Sequence, residues 1–334
     1  MKRIKQIWHF RRFVTIPPGA PRLNALAALI AAMAVGILLL TFHARPAGAG
    51  LDSAALTASQ LVLNLPQKSV PGGAGRGEVG GLSPDEVNTR IHGAIHGSRV
   101  ALQLHLALLE LGKRRLESVP DYTATFLKQE RVNGEDLQEL QTIRLKLRHE
   151  PFSVHMEWLE GGDVGRRVLF VTEGEFKDLL QVRLGGKKGN VLPILKLNPA
   201  GSQAMAEARH PATEMGLLHL IDVLLKYRKR DFTLKEGVRW QMLPDQKFTD
   251  RVCDCWVVEY ERPDVEPVYR KSVIYIDREH AVPICVRNFG WPGEEIETTD
   301  PAALDEATLI EFYGYTDLKF ENRLGDADFD KLRR

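Results

Sequence analysis

Two cysteines stand in the run CDCW, at Cys253 and Cys255, and a third follows at Cys285. Thiols two apart on a strand share a face, where a bridge between them would be strained. The turns around them put Cys255 and Cys285 on opposite sides of Tyr275, about 9 to 10 Å or two strand spacings apart, too far for a native bridge. Small buried hydrophobes are therefore expected in preference to redox or metal chemistry. His92 and His96 are four apart in a helical pattern, a spacing that can set two imidazoles on one metal. No third ligand is evident, so a solvated helix flank is expected and no metal is assigned. Residues 184–190, LGGKKGN, put glycines beside two lysines as a phosphate cradle would, but lack the Ser/Thr and helix of a P-loop and read as a hairpin turn. Gly75, Gly77 and Gly80 satisfy G-x-G-x-x-G with no strand before them, which makes them linker. Glu294, Glu295 and Glu297 could pair for glycoside chemistry only with a facing geometry that neighbours in sequence do not assure, so a solvated loop is expected. No G-x-S-x-G or H-E-x-x-H occurs. No catalytic residue and no cofactor is assigned, and the chain is expected not to be an enzyme.

The elements that must position these residues begin with a charged, then apolar, N-terminus. Of 334 residues, 44% are hydrophobic and 27% charged, and Lys+Arg 45 against Asp+Glu 44 leaves a net charge of +1. That composition is globular, and it offers no broad basic surface for nucleic acid. Leu23 to Phe42 carry no charge, and roughly 20 residues at about 1.5 Å each match a hydrocarbon core of about 30 Å. Lys2, Arg3, Lys5, Arg11, Arg12 and Arg22 precede this run. The expected layout is a cytoplasmic segment over 1–22, a transmembrane anchor or signal sequence over 23–42 with the main domain outside, and a flexible linker over 43–82. Cleavage near Ala49 is the alternative to an anchor. The outer domain is expected over 83–330, opening with a helix from Ser83 to Glu117 whose apolar stripe is Ile91, Ile95, Leu102, Leu106 and Leu109.

From Asp121 the apolar period falls to two, with Asn133-Gly134, Gly161-Gly162 and Gly174 as turns. FSVHMEW, residues 152–158, alternates Phe152, Val154, Met156 and Trp158 with polar neighbours, a strand with one dry face. Ile143, Leu145 and Leu147 alternate likewise with Arg144, Lys146 and Arg148 facing water. A helical insert interrupts the meander, with a short piece at Ser202 to Ala208 and a longer one capped by Thr213 that carries Leu217, Leu218, Ile221, Leu224 and Leu225. Strands then resume. In RVCDCWVVEY, Trp256, Val258 and Tyr260 point one way and Cys253, Cys255 and Val257 the other, so that strand is covered on both sides. On the last strand Ile310, Phe312, Leu318 and Phe320 are expected on one face, with Gly314 marking a bend. The fold class is mainly β (α+β): a strongly curved antiparallel sheet over 121–322 with the helical insert as lid.

The stretches YTATFLKQERV, PFSVHMEW, CWVVEYERP, YRKSVIYID, VPICVRNFGWPG and EFYGYTDLKFENRLGDADFD span Tyr122 to Phe329. Together they resemble the domain of unknown function 1571, a bacterial envelope family, itself similar to the lipoprotein-carrier LolA-like superfamily. The arrangement of Ile276, Asp277 and Pro283 is the most telling. The resemblance implies an incomplete β-barrel closed by helices around an apolar cavity for acyl chains, in the periplasm, with no catalytic residues. The expected lining is Phe126, Val154, Met156, Trp158, Trp256, Val258 and Phe312. The expected partners are a lipid or lipoprotein acyl chain and, through the N-terminal helix, the inner membrane. The alternative is a filled barrel that docks a partner protein.

Overall fold

The computed structural model describes residues 99–134 and 136–332; the apolar run, the linker, the first half of the long helix, His92 and His96 lie outside them. No helix of the described residues is long and apolar enough to cross a membrane. Helix α1 (Arg99–Glu117) leads into a meander of β1 (Asp121–Glu130), β2 (Gln141–Arg148), β3 (Ser153–Glu160), β4 (Arg167–Val171) and β5 (Leu180–Arg183). A short helix α2 (Gly186–Val191), the strand β6 (Leu195–Leu197) and helix α3 (Ser202–Met205) follow. Helix α4 (Leu217–Thr233) then precedes a second meander of β7 (Val238–Phe248), β8 (Arg251–Tyr260), β9 (Lys271–Asp277) and β10 (Pro283–Phe289). Helix α5 (Pro301–Thr308) and β11 (Leu309–Phe320) complete it.

All eleven strands form one antiparallel sheet in the order β6-β5-β4-β3-β2-β1-β11-β10-β9-β8-β7. The first and last strands meet at its centre, so each meander runs outward to its own edge and the sheet stays unclosed. Eleven strands laid flat would span about 48 Å, whereas a pair of helices covers about 20 Å. Yet Val182 on β5 and Met242 on β7, near opposite edges, are buried in the same core. One contiguous core thus reaches toward both edges of the sheet and takes in two helices through Leu109 and Ile221. Those two, α1 and α4, run antiparallel, pinned by Lys113 to Asp222 at 2.6 Å and Lys229 to Glu110 at 2.8 Å.

Several expectations need correction. Helix α4 is capped at Gly216, not at Thr213, which lies in a preceding 3-10 turn. Gly216 has φ +115, and a Cβ there would sit 2.6 Å from Leu147 Cδ1 and 2.9 Å from the Tyr122 hydroxyl. The glycine thus lets α4 descend onto the sheet. The free N–H of Leu217 is met by Tyr122 Oη at 2.9 Å, so a buried strand residue supplies the cap. The helix runs on through Phe232 and Thr233 before the next strand opens at Val238. LGGKKGN joins the antiparallel pair β5–β6, as the hairpin reading expects, and the connection includes the helical turn α2. Helix α5 was announced by Asp300, which accepts from Ala302 N at 3.2 Å, and Pro301 in the first turn, yet the sequence reading passed over it. The polar tail docks back: Phe329 and Leu332 pack on Leu169 of the outer face, held by Asp328 to Lys146 at 2.7 Å and Asp326 to Arg148 at 2.8 Å. Lys146 and Arg148 are accordingly half-covered, while Arg144 faces water as expected.

Candidate functional site

Residues opposite one another in an antiparallel pair share a face. Phe126 pairs with Ile143, Ile143 with Trp158, Leu145 with Met156 and Leu147 with Val154, which sets Phe126, Val154, Met156 and Trp158 on one face. Tyr122, two positions from Ala124 and four from Phe126, marks that face as the one beneath α4. Trp256 is on the same side at the far half, its indole stacked on the His105 imidazole of α1 with centroids 4.6 Å apart. Val258 also points that way, but into a separate cluster with Val238 and Tyr260. Phe312 does not join them. Trp256 pairs with Ile274, Ile274 with Val286 and Val286 with Tyr313, so Phe312 is on the opposite face, beside Gly314 and Phe248. The last strand was expected to hold one face throughout, but the irregular register near Thr125, with Asp317 at φ +51, turns Phe320 to the Tyr122 side.

This face is closed. None of its six residues is more than 7% exposed, so the face is covered rather than open to solvent, and Phe312 on the other side is 7% exposed. Grooves of about 390 Å³ lie elsewhere, one beside Arg148, Phe176 and Asp326 and one beside Arg251 and Glu279.

The cover differs from place to place. Over Tyr122 and Trp256 it is helix, with Leu102, Leu109, Leu217 and Ile221 buried. The strap 198–216 adds the small or flexible Ala204, Ala212 and Met215 to the same core, and its Glu207 pairs with Arg166, whose guanidinium lies 5.5 Å from the Trp158 ring. Polar contacts fasten it. Glu130 and Glu311 stand opposite in the β1–β11 register, both buried. Glu311 accepts from Arg209 Nε at 2.8 Å, His210 Nε2 at 3.3 Å, Asn288 Nδ2 at 2.7 Å and Tyr269 Oη at 3.0 Å. Glu130 accepts from the Arg209 amide at 3.1 Å and Tyr313 Oη at 2.5 Å, with Lys128 Nζ 3.0 Å away. Glu207 takes Arg166 at 2.6 Å, and its carbonyl accepts from Lys128 and Gln138. Burial alone would raise the Glu311 carboxyl, but the hydrogen bonds and charge of His210, with Asn288 and Arg209, outweigh it and hold it at about 2. The same hydrogen bond raises His210.

Two carboxylates so fully occupied by donors are anchors for the strap. Sequence reading missed them; the signal was Glu130 and Glu311 falling on core-facing positions of otherwise apolar strands.

The other half carries tighter chemistry. Arg228, buried on α4, donates to Tyr260 Oη at 3.0 Å and pairs with Asp231 at 2.9 Å. Burial, then the nearby Arg228 charge, lowers His105, which stays neutral against Trp256. The three thiols are free and buried on the opposite face, with Cys255 and Cys285 both paired to Tyr275 in register and on opposite sides of its strand. Burial pushes Cys253 and Cys255 up to about 12, leaving thiols rather than thiolates. Asp277, Glu279 and His280 cluster at metal-ligand distances, but Arg251 Nη1 already bridges Asp277 and Glu279 at 3.0 Å each. Glu294, Glu295 and Glu297 are exposed.

The family model described as Protein of unknown function (DUF1571) matches residues 119–333. The chain belongs to this family. The family's span takes in every strand of the sheet, both anchoring glutamates and the strap, and begins just past α1. No curated protein matches the chain. Among solved structures, it is similar to the lipoprotein LppX of Mycobacterium tuberculosis, with 9% identity over 67% of this chain and 98% of that one, at TM-score 0.37. It is similar also to a LolA superfamily protein of Nitrosomonas europaea, 10% identical over 67% and 96% at TM-score 0.31. A third is a DUF1329 family protein of Desulfovibrio piger, 9% identical over 69% and 97% at TM-score 0.34.

Proposed function

We propose that this chain is a non-enzymatic protein of the bacterial envelope that binds the acyl chain of a lipid or lipoprotein beneath the strap, and that the closed form is its unloaded state. One observation supports the reading: bulky apolar residues at Phe126, Val154, Met156 and Trp158 share one core with a strap that adds only small or flexible side chains to it and is held by charged fastenings. Lifting such a cover exposes little apolar surface of its own. A chain leaving a bilayer exchanges one apolar surrounding for another, so each methylene, worth about 0.8 kcal/mol against water, contributes almost nothing net. Hand-over then needs a site that opens easily, and Met156 suits it because a thioether adapts to irregular partners. The apolar run at 23–42 would hold the domain at the outer side of the inner membrane, and the N-terminal sequence of the mature protein distinguishes an anchor from cleavage near Ala49.

A second reading, a filled module that docks protein, is favoured by the packing of α1 and α4 into the same face. Extraction of lipid from the purified full chain, followed by mass spectrometry, separates the two. Wild type should retain lipid and a folded Met156→Asp variant should retain much less. Equal recovery from both, or none from wild type, would favour the filled module.

A further inference from the structure

The tip of the sheet at its β6 edge is unlike the rest of the surface. Val191 is 79% exposed, Leu192 45% and Leu195 36%, with Pro193 exposed between them and Val164 beside the same turn at Gly185. Exposed large apolar residues are otherwise scattered singly, which is ordinary. Here they cluster, from the end of α2 at Val191 to the first residue of the edge strand β6 at Leu195, and no further strand pairs with that edge. Charge is equally uneven. From Leu179 to Ala206 the chain has Arg183, Lys187, Lys188 and Lys196 and not one Asp or Glu, within a protein whose total is 45 cations to 44 anions. Lys187 and Lys188 are exposed and have no carboxylate partner among the described residues. Lys196 rides on the Phe176 ring at 4.1 Å, still at the surface. The turn is built to hold this shape: a Cβ on Gly185 would meet Val164 O at 2.2 Å, and one on Gly189 would meet Leu184 O at 1.9 Å.

We infer that the tip formed by Val191, Leu192, Pro193 and Leu195, with Lys187 and Lys188, docks on the surface of an anionic lipid bilayer. The apolar side chains enter the headgroup boundary, and the lysines meet lipid phosphates, the combination of area and charge that such binding requires. The carboxylate at this turn, Asp163, is taken up by the Gly185 amide and Arg166, so the charge the patch presents is that of its lysines and selects a negatively charged partner. A protein strand added to β6 would use the edge hydrogen bonds but would not call for unpaired lysines. The inference is independent of what lies beneath the strap.

The test places an environment-sensitive dye at Val191→Cys in the full chain, reconstituted in nanodiscs of phosphatidylcholine alone or mixed with phosphatidylglycerol. The native thiols are buried and do not compete for the label. The same dye at Val252→Cys, exposed on the opposite flank of the sheet, is the control. Emission from position 191 should shift to the blue in phosphatidylglycerol discs only. It should return on Lys187→Glu with Lys188→Glu, or when salt rises from about 0.1 M to about 1 M and the Debye length shrinks from about 10 to about 3 Å. Emission at 191 that matches the control, or is the same in both lipids, or shifts only as protein concentration rises, would overturn the proposal.

Discussion

The two halves of the sheet, β1–β6 and β7–β11, share one core but are sealed in different ways. In the second half both faces are dry: Trp256 and Ile274 lie under the helices, while Cys253, Cys255, Cys285 and Phe312 are buried on the other side. In the first half the outer face bears Arg144, Lys146 and Arg148, and the inner face is closed in part by a strap on charged fastenings. A face sealed by interdigitated helices is part of the fold's stability; one closed by ion pairs over small side chains can open without unfolding the rest. Under the proposed function, the difference makes one half the scaffold and the other the place of exchange.

The sharpest way to break this comparison is Trp256→Ala. It should lower stability by about 3–5 kcal/mol in urea unfolding, since removing a fully buried aromatic leaves a cavity. A loss no larger than that of Val154→Ala would put the two halves on an equal footing. A smaller effect is expected from Glu311→Gln, about 2–3 kcal/mol for loss of charge-assisted hydrogen bonds. Hydrogen exchange should quicken in residues 198–216 and leave β8 and β9 as protected as before.

The same latch sets a pH window. Glu311 is depressed to about 2, so its contribution is present above the unfolded carboxylate range and is lost as pH falls toward about 2. His210, which faces Glu311, Glu130, Glu214 and Arg209, is raised, so its contribution is full below about 6.5 and is lost as pH climbs through the raised value. Protection of the strap, taken relative to the intrinsic exchange rate at each pH, should therefore be greatest between the unfolded carboxylate range and about 6.5 and fall as pH climbs through the raised His210 value, a fall that His210→Gln removes. The smallest effect belongs to Arg144→Ala. Its pair with Glu157 is exposed, and stability should change by less than about 1 kcal/mol.

Period-two alternation made most strands legible, from Phe152 to Trp158 and through RVCDCWVVEY, because side-chain direction on a strand follows directly from residue parity. The placement of Cys255 and Cys285 about Tyr275 was readable for the same reason. Parity fails at bulges, which is why Phe312 and Phe320 were wrongly placed together. Short elements such as β6 and α2 have too few residues for a period to emerge. The cap of α4 was hidden because its partner, Tyr122, lies far away in sequence and the glycine's role is set by Leu147. The strap's anchors were unreadable as a pair: only the meeting of the first and last strands brings Glu130 opposite Glu311.

Photo-crosslinking with a diazirine-bearing fatty acid, followed by peptide mapping, reports whether an acyl chain reaches the space beneath the strap. Label should fall on β3 and on the strap 198–216, suppressed by excess unlabelled lipid and by Met156→Asp. Label confined to outer-surface residues, or spread evenly without competition, would contradict the proposed function.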